Sequence, residues 1–136
     1  MKLIAYVDGA SRGNPGPAAA GVVLKDAKGE VIKTLSVPIG HTTNNVAEYT
    51  ALILAMHEAL LLGAKEFEVF TDSELVAKQW SGDYKIKDAS LKVLHLLASS
   101  LKRGFKKINV SHVRREQNKL ADAEANRALN RRDLFE

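Results

Sequence analysis

Three extended segments in immediate succession, followed by alternating helices and strands, limit what this chain can build. Lys2 to Asp8 places Ile4, Tyr6 and Asp8 on one face and Leu3, Ala5 and Val7 on the other. Apolar residues on both faces predict a central strand, covered on each side. Ala18 to Lys25 and Val31 to Val37 are extended as well. The turn between them, Asp26 to Gly29, favours an antiparallel hairpin. From Asp8 to Pro17, the density of glycine and proline predicts a loop.

Helical spacing then takes over. Thr42 to Asn45 opens a helix running to near Gly63, with Tyr49, Leu52, Ile53, Met56 and Leu60 as its buried stripe. Glu66 to Thr71 is a fourth strand. Asp72 to Leu75 begins a second helix that reaches about Trp80, and Ser81 to Asp83 breaks it. Ser90 to Lys102 forms a third helix, Lys107 to Val113 a fifth strand and Asn118 to Leu129 a last helix. The order β-β-β-α-β-α-α-β-α predicts an α/β fold, a mixed sheet with helices on its faces. No repeat or linker divides the chain, so residues 1–136 are expected to form one domain.

Four carboxylates lie where these elements hand over. Asp8 and Asp72 end strands, while Glu48 and Asp122 fall on inward helix stripes. Each has an ordinary alternative. Asp8 suits an Asp-Gly turn, and Glu48 completes a capping box with Asn45. Asp72 suits a helix cap, and Asp122 an ion pair with Lys119. If the elements pack together, however, the four side chains converge. Unit charges about 4 Å apart repel by about 4 kcal/mol at an effective dielectric of about 20, so such a cluster needs cations or raised pKa values. An all-oxygen donor set suits Mg²⁺ or Mn²⁺.

The net charge is +4, and the last third holds Lys102, Arg103, Lys106, Lys107, Arg114 and Arg115 among its cations. That asymmetry fits a polyanion-binding face. Without cysteine the chain forms no disulfide and offers no thiolate to a metal, and its composition suits a reducing cytoplasm. The longest apolar tract, around Ala51 to Leu62, is broken by His57 and Glu58, so neither a membrane span nor an obligate protein partner is expected.

Four ordered blocks carry a resemblance: YVDGASRGNPGP at residues 6–17, TTNNVAE at 42–48, TDSE at 71–74 and NKLAD at 118–122. With these, the chain resembles type 1 ribonuclease H over nearly its whole length. The resemblance implies a ribonuclease H-like fold with a five-stranded mixed sheet, three strands antiparallel and two parallel. It also implies hydrolysis of the RNA strand of an RNA–DNA hybrid to 5′-phosphate and 3′-hydroxyl products. Two Mg²⁺ ions, with Mn²⁺ as a substitute, would be held by Asp8, Glu48, Asp72 and Asp122. Asp8 would bridge the pair, Glu48 and Asp72 would hold the first ion, and Asp122 the second. Asn14, Asn44 and Glu74 match positions facing the RNA minor groove. Thr43 and Asn45 match a pocket for a DNA-strand phosphate, and Asn118 is expected on the substrate side too. Trp80 matches an aromatic that touches the nucleic-acid backbone in some relatives, although a core or groove-wall role is the commoner one.

The chain departs from the family pattern in three places. Ser81 to Asp88 is a short connection where many relatives carry a lysine-rich protrusion, which marks a compact form. The histidine loop of many relatives contracts to His112 to Asn118. There Arg115 or Glu116 is the candidate substitute, for holding a phosphate or a metal-bound water respectively. Glu74 stands where many relatives have glutamine, and a carboxylate accepts hydrogen bonds without donating. The rival reading is a binding module of the same fold without catalysis.

Overall fold

The structure, a computed structural model, describes residues 1–135, with side chains through Arg131. Glu136, the last residue of the expected domain, lies outside the described residues. Five strands, β1 (Lys2–Ser11), β2 (Gly16–Asp26), β3 (Val31–Thr42), β4 (Glu66–Thr71) and β5 (Lys107–His112), form one sheet in the order β3-β2-β1-β4-β5. The first three pair antiparallel, and β4 and β5 run parallel to β1. The expected central strand is therefore the middle one, as its two apolar faces require.

Two strands extend beyond their sequence limits. The glycine-rich stretch after Asp8 stays in β1, because Gly9, Ala10 and Ser11 pair with Ala20, Ala19 and Ala18. Similarly, β3 runs on to Thr42 across a register shift at Ala18/Ala19. Pro38 is tolerated there because β3 is an edge strand, where a missing amide leaves no ladder bond broken. Ladder pairing outweighs local composition in both places.

The helices are α1 (Asn44–Leu61), α2 (Glu74–Ser81), α3 (Ala89–Lys102) and α4 (Lys119–Phe135), with a 3₁₀ turn at Arg115–Gln117. Thr43 caps α1, its Oγ1 accepting from the Val46 amide at 3.2 Å. Ser73 caps α2 in the same way through Val76, at 3.1 Å. The cap positions expected at Asn45 and Asp72 are thus corrected by two hydroxyl residues just outside each helix.

Each side of the sheet has its own cover. Leu3, Ala5, Val7, Val22 and Leu24 join Tyr49, Leu52 and Met56 of α1 in the main core, with Ile53 and Leu60 half-buried against it. Burying each large side chain contributes about 1.5–3 kcal/mol. On the opposite face α4 lies over β2, β1 and β3, joined through Ala19, Ala128 and Leu129. That approach needs a glycine at position 21, where a Cβ would stand 2.2 Å from the Ala121 carbonyl oxygen. Such closeness brings the start of α4, and Asp122 with it, to the margin of β1. None of the described helices is long and apolar enough to cross a membrane.

Candidate active site

The parallel pairing of β1 with β4 sets the first two carboxylates. Tyr6 is opposite Phe70, and Val7 is opposite Thr71, so Asp8 and Asp72 leave neighbouring strands one step further on. The rings of Tyr6 and Phe70 stack at 5.1 Å between centroids and reinforce that register. Glu48 arrives from α1, whose first turn crosses the end of β1 so closely that only glycine fits at position 9. A Cβ there would lie 2.2 Å from the Ala47 carbonyl carbon and the Glu48 nitrogen. The Gly9 amide donates to Glu48 Oε1 across this contact.

Carboxylate oxygens of Asp8, Glu48 and Asp72 all lie within 4.8 Å of one another. Asp122 lines the same cleft as this trio. Asp8 is 6 % exposed and Glu48 5 %, yet both line an open cleft of about 210 Å³ with Ala10, Asn44, Asp72, Arg115 and Asp122. Burial, and then the charges of Glu48 and Asp72, raise the Asp8 carboxyl far above the usual range. Burial also raises Glu48, partly offset by the Gly9 amide, by a proton shared from Asp8 and by the positive charge of Arg115. Without cations, burial and mutual repulsion favour a proton held within the cluster. The clustered oxygens of Asp8, Glu48 and Asp72 make a hard, all-oxygen donor set of the kind Mg²⁺ or Mn²⁺ takes.

Comparison with known proteins places this geometry. A family model described as "Reverse transcriptase-like" matches residues 6–128. Ribonuclease HI of Halobacterium salinarum is 45 % identical over 128 residues, covering 94 % of this chain and 64 % of the relative. The crystal structure of RNase H1 from the same archaeon superposes with a TM-score of 0.93 at 44 % identity, over 96 % of this chain and 98 % of that one. The chain belongs to the type 1 ribonuclease H family. LC11-RNase H1, in a structure with an RNA/DNA hybrid, matches with a TM-score of 0.90 and 42 % identity, over 95 % of this chain and 97 % of that one. The chain spans 64 % of the length of the halobacterial relative and 36 % of mycobacterial relatives that it also matches.

Around this ribonuclease H cluster, the expected substrate residues divide. Asn14 and Asn44 meet, the Asn44 amide donating to Asn14 Oδ1 at 3.0 Å, and Asn44 lines the cleft. Thr43 and exposed Asn45 lie at the start of α1, beside the same opening. Arg115 is exposed on the 3₁₀ turn and reaches the cleft. Glu74 is exposed on the first turn of α2 and accepts from the Tyr84 hydroxyl at 2.9 Å. Asn118 lies deeper than these. It is 1 % exposed and its Nδ2 donates to the Val7 carbonyl at 2.8 Å, which ties the approach to α4 onto β1.

The alternative roles of the carboxylates also resolve. Glu48 accepts from Gly9, not from Asn45. Ser73 takes the cap that Asp72 was offered. Among the described residues, Asp122 and Lys119 form no ion pair. Trp80 is half-buried against the core, with the Lys102 ammonium 5.5 Å from its ring centroid, which fits the wall role. Two contributors escaped the sequence reading. In the sequence Gly9 looks like part of a turn, although glycine after a strand-end aspartate also signals close backbone approach. Tyr84 carried no signal, because its partner is ten residues away across a helix.

Proposed function

We propose that this chain is a metal-dependent endoribonuclease that hydrolyses the RNA strand of RNA–DNA hybrids, leaving 5′-phosphate and 3′-hydroxyl ends. The observation that carries this reading is the convergence of Asp8, Glu48 and Asp72 oxygens within 4.8 Å at an open cleft. Like charges gathered at that separation in a half-desolvated place have no structural benefit, and a binding-only module would gain nothing from negative charge facing phosphate. The hybrid held by LC11-RNase H1 supports the same substrate class.

The donor set fits two divalent ions, Mg²⁺ with Mn²⁺ as a substitute. Asp8 would be shared between them, Glu48 and Asp72 would complete one site, and Asp122 the other. When bound, such ions supply activation of a water nucleophile and stabilisation of the leaving 3′-oxygen. The protein's own groups do the rest. The Gly9 amide holds Glu48 in place, and the Asn118 amide anchors the start of α4, from which Asp122 projects.

Binding is assigned to the rim. Asn14, Asn44 and Glu74 face the RNA minor groove, where the 2′-hydroxyl separates RNA from DNA. Thr43 and the amides near Asn45 receive a DNA-strand phosphate at the helix N-terminus. Arg115 holds a phosphate beside the reacting bond, in place of the family's histidine loop. The proposed place of work is the cytoplasm.

A side-by-side cleavage panel tests the assignment, with labelled hybrid, duplex RNA, single-stranded RNA and duplex DNA, with and without Mg²⁺. The expected result is Mg²⁺-dependent cutting of the RNA strand in the hybrid. Hybrid binding without any metal-stimulated cleavage would favour the binding module instead.

A further inference from the structure

The connection from α2 to α3 folds back against α2 and is fastened at two adjacent residues. The Tyr84 amide donates to the Lys78 carbonyl at 3.1 Å. Gln79 Nε2 donates to the Lys85 carbonyl at 3.2 Å. Gln79 is itself buried, and its Oε1 accepts from the buried Tyr49 hydroxyl at 2.5 Å. The backbone at residues 84 and 85 is therefore referred through Gln79 to the core beneath α1. From this fixed point the Tyr84 phenol donates to Glu74 Oε1 at 2.9 Å.

Glu74 opens α2 two positions after Asp72, which itself lines the cleft. An ionised carboxylate has two oxygens and donates nothing. One phenol bond occupies the first oxygen and fixes the plane of the group, leaving the second as an acceptor in a defined direction. A free glutamate on a surface helix turn would sample several rotamers, and ordering it on binding would cost interaction energy. Tyr84 removes part of that cost beforehand.

We propose that Tyr84 is a positioning residue for substrate selection, holding Glu74 so that its second oxygen accepts from a hydrogen-bond donor in the hybrid minor groove. The inference rests on the assignment of the cleft to hybrid cleavage. Two groups offer that donor chemistry: the ribose 2′-hydroxyl and the guanine 2-amino group. An A·T pair in duplex DNA offers only acceptors in its minor groove, and these would face the carboxylate unfavourably.

The test uses the full chain with Mg²⁺ and labelled hybrid, comparing wild type, Tyr84→Phe, Glu74→Ala and the double variant. Tyr84→Phe is expected to raise KM about three- to tenfold, the weight of one hydrogen bond, with kcat changed less than about twofold. In the Glu74→Ala background the same change should add almost nothing. Single 2′-deoxy substitutions along the RNA strand, and inosine for guanosine in a parallel series, distinguish the two donors. One substitution should weaken wild type and leave Tyr84→Phe nearly unaffected. An unchanged KM for Tyr84→Phe, or an equal effect with and without Glu74, would overturn the positioning role while wild-type cleavage left the assigned activity standing. Failure of wild type to cut the hybrid would overturn the activity and the inference together.

Discussion

The Gly9 amide donates to the Glu48 carboxylate, thirty-nine residues along the chain, at the point where the first strand passes under the first long helix. This contact joins the sheet and α1 at the acidic cluster itself. Gly9→Ala would place a Cβ 2.2 Å from the Ala47 carbonyl carbon, which only a shift of α1 or β1 relieves. A displacement of about 1 Å at a reacting centre costs about a hundredfold in rate. Cleavage by Gly9→Ala should fall by about that factor, and circular dichroism should still report a folded protein.

Asn118 ties α4 to β1 through the Val7 carbonyl, one residue before Asp8. Asn118→Ala leaves that buried carbonyl without its partner, at a cost of about 1–3 kcal/mol. Urea denaturation should show the loss in full. Activity should fall as well, because Asp122 leaves from the same helix turn, its amide bonded to the Asn118 carbonyl at 3.1 Å. Full stability in Asn118→Ala would contradict an anchoring role.

The order of elements was legible because strand and helix periodicities differ and each stripe found a partner. Tyr49, Leu52 and Met56 are fully buried, as their spacing required. The strand ends were less visible, since Gly9 to Ser11 look like a loop until β2 is beside them to complete the ladder. The four acidic positions were legible one at a time, each with an ordinary explanation. What decided between the explanations was the register of β1 on β4 and the close crossing of α1, and no local pattern encodes either. The burial of Asn118 is hidden from the sequence for the same reason, because its partner is the Val7 carbonyl of a distant strand.

The raised carboxyls set a pH dependence with a definite sign. Asp8 and Glu48 are both held above the ordinary carboxylate range, by burial first and then by the neighbouring carboxylates. Folded-state values above the unfolded ones mean a contribution that is fully present below about 4 and lost as pH rises through neutrality and beyond. In chelator, wild type should therefore lose stability relative to Asp8→Asn as pH increases from 5 to about 9. Mg²⁺, held as proposed by the deprotonated carboxylates, should narrow that gap and release protons, detectable by calorimetry in buffers of different ionisation enthalpy. A gap that is independent of pH would count against the clustered carboxyls.

Asp8 lies in the acidic trio with Glu48 and Asp72, and it is the carboxylate proposed to serve both ions. The decisive comparison is Mg²⁺-dependent cleavage of a labelled RNA–DNA hybrid by wild type and Asp8→Asn, both shown to be folded. Wild type should cut the RNA strand, and Asp8→Asn should be slower by about a thousandfold or more, about 4 kcal/mol of barrier. Cutting by Asp8→Asn at the wild-type rate would contradict that expectation.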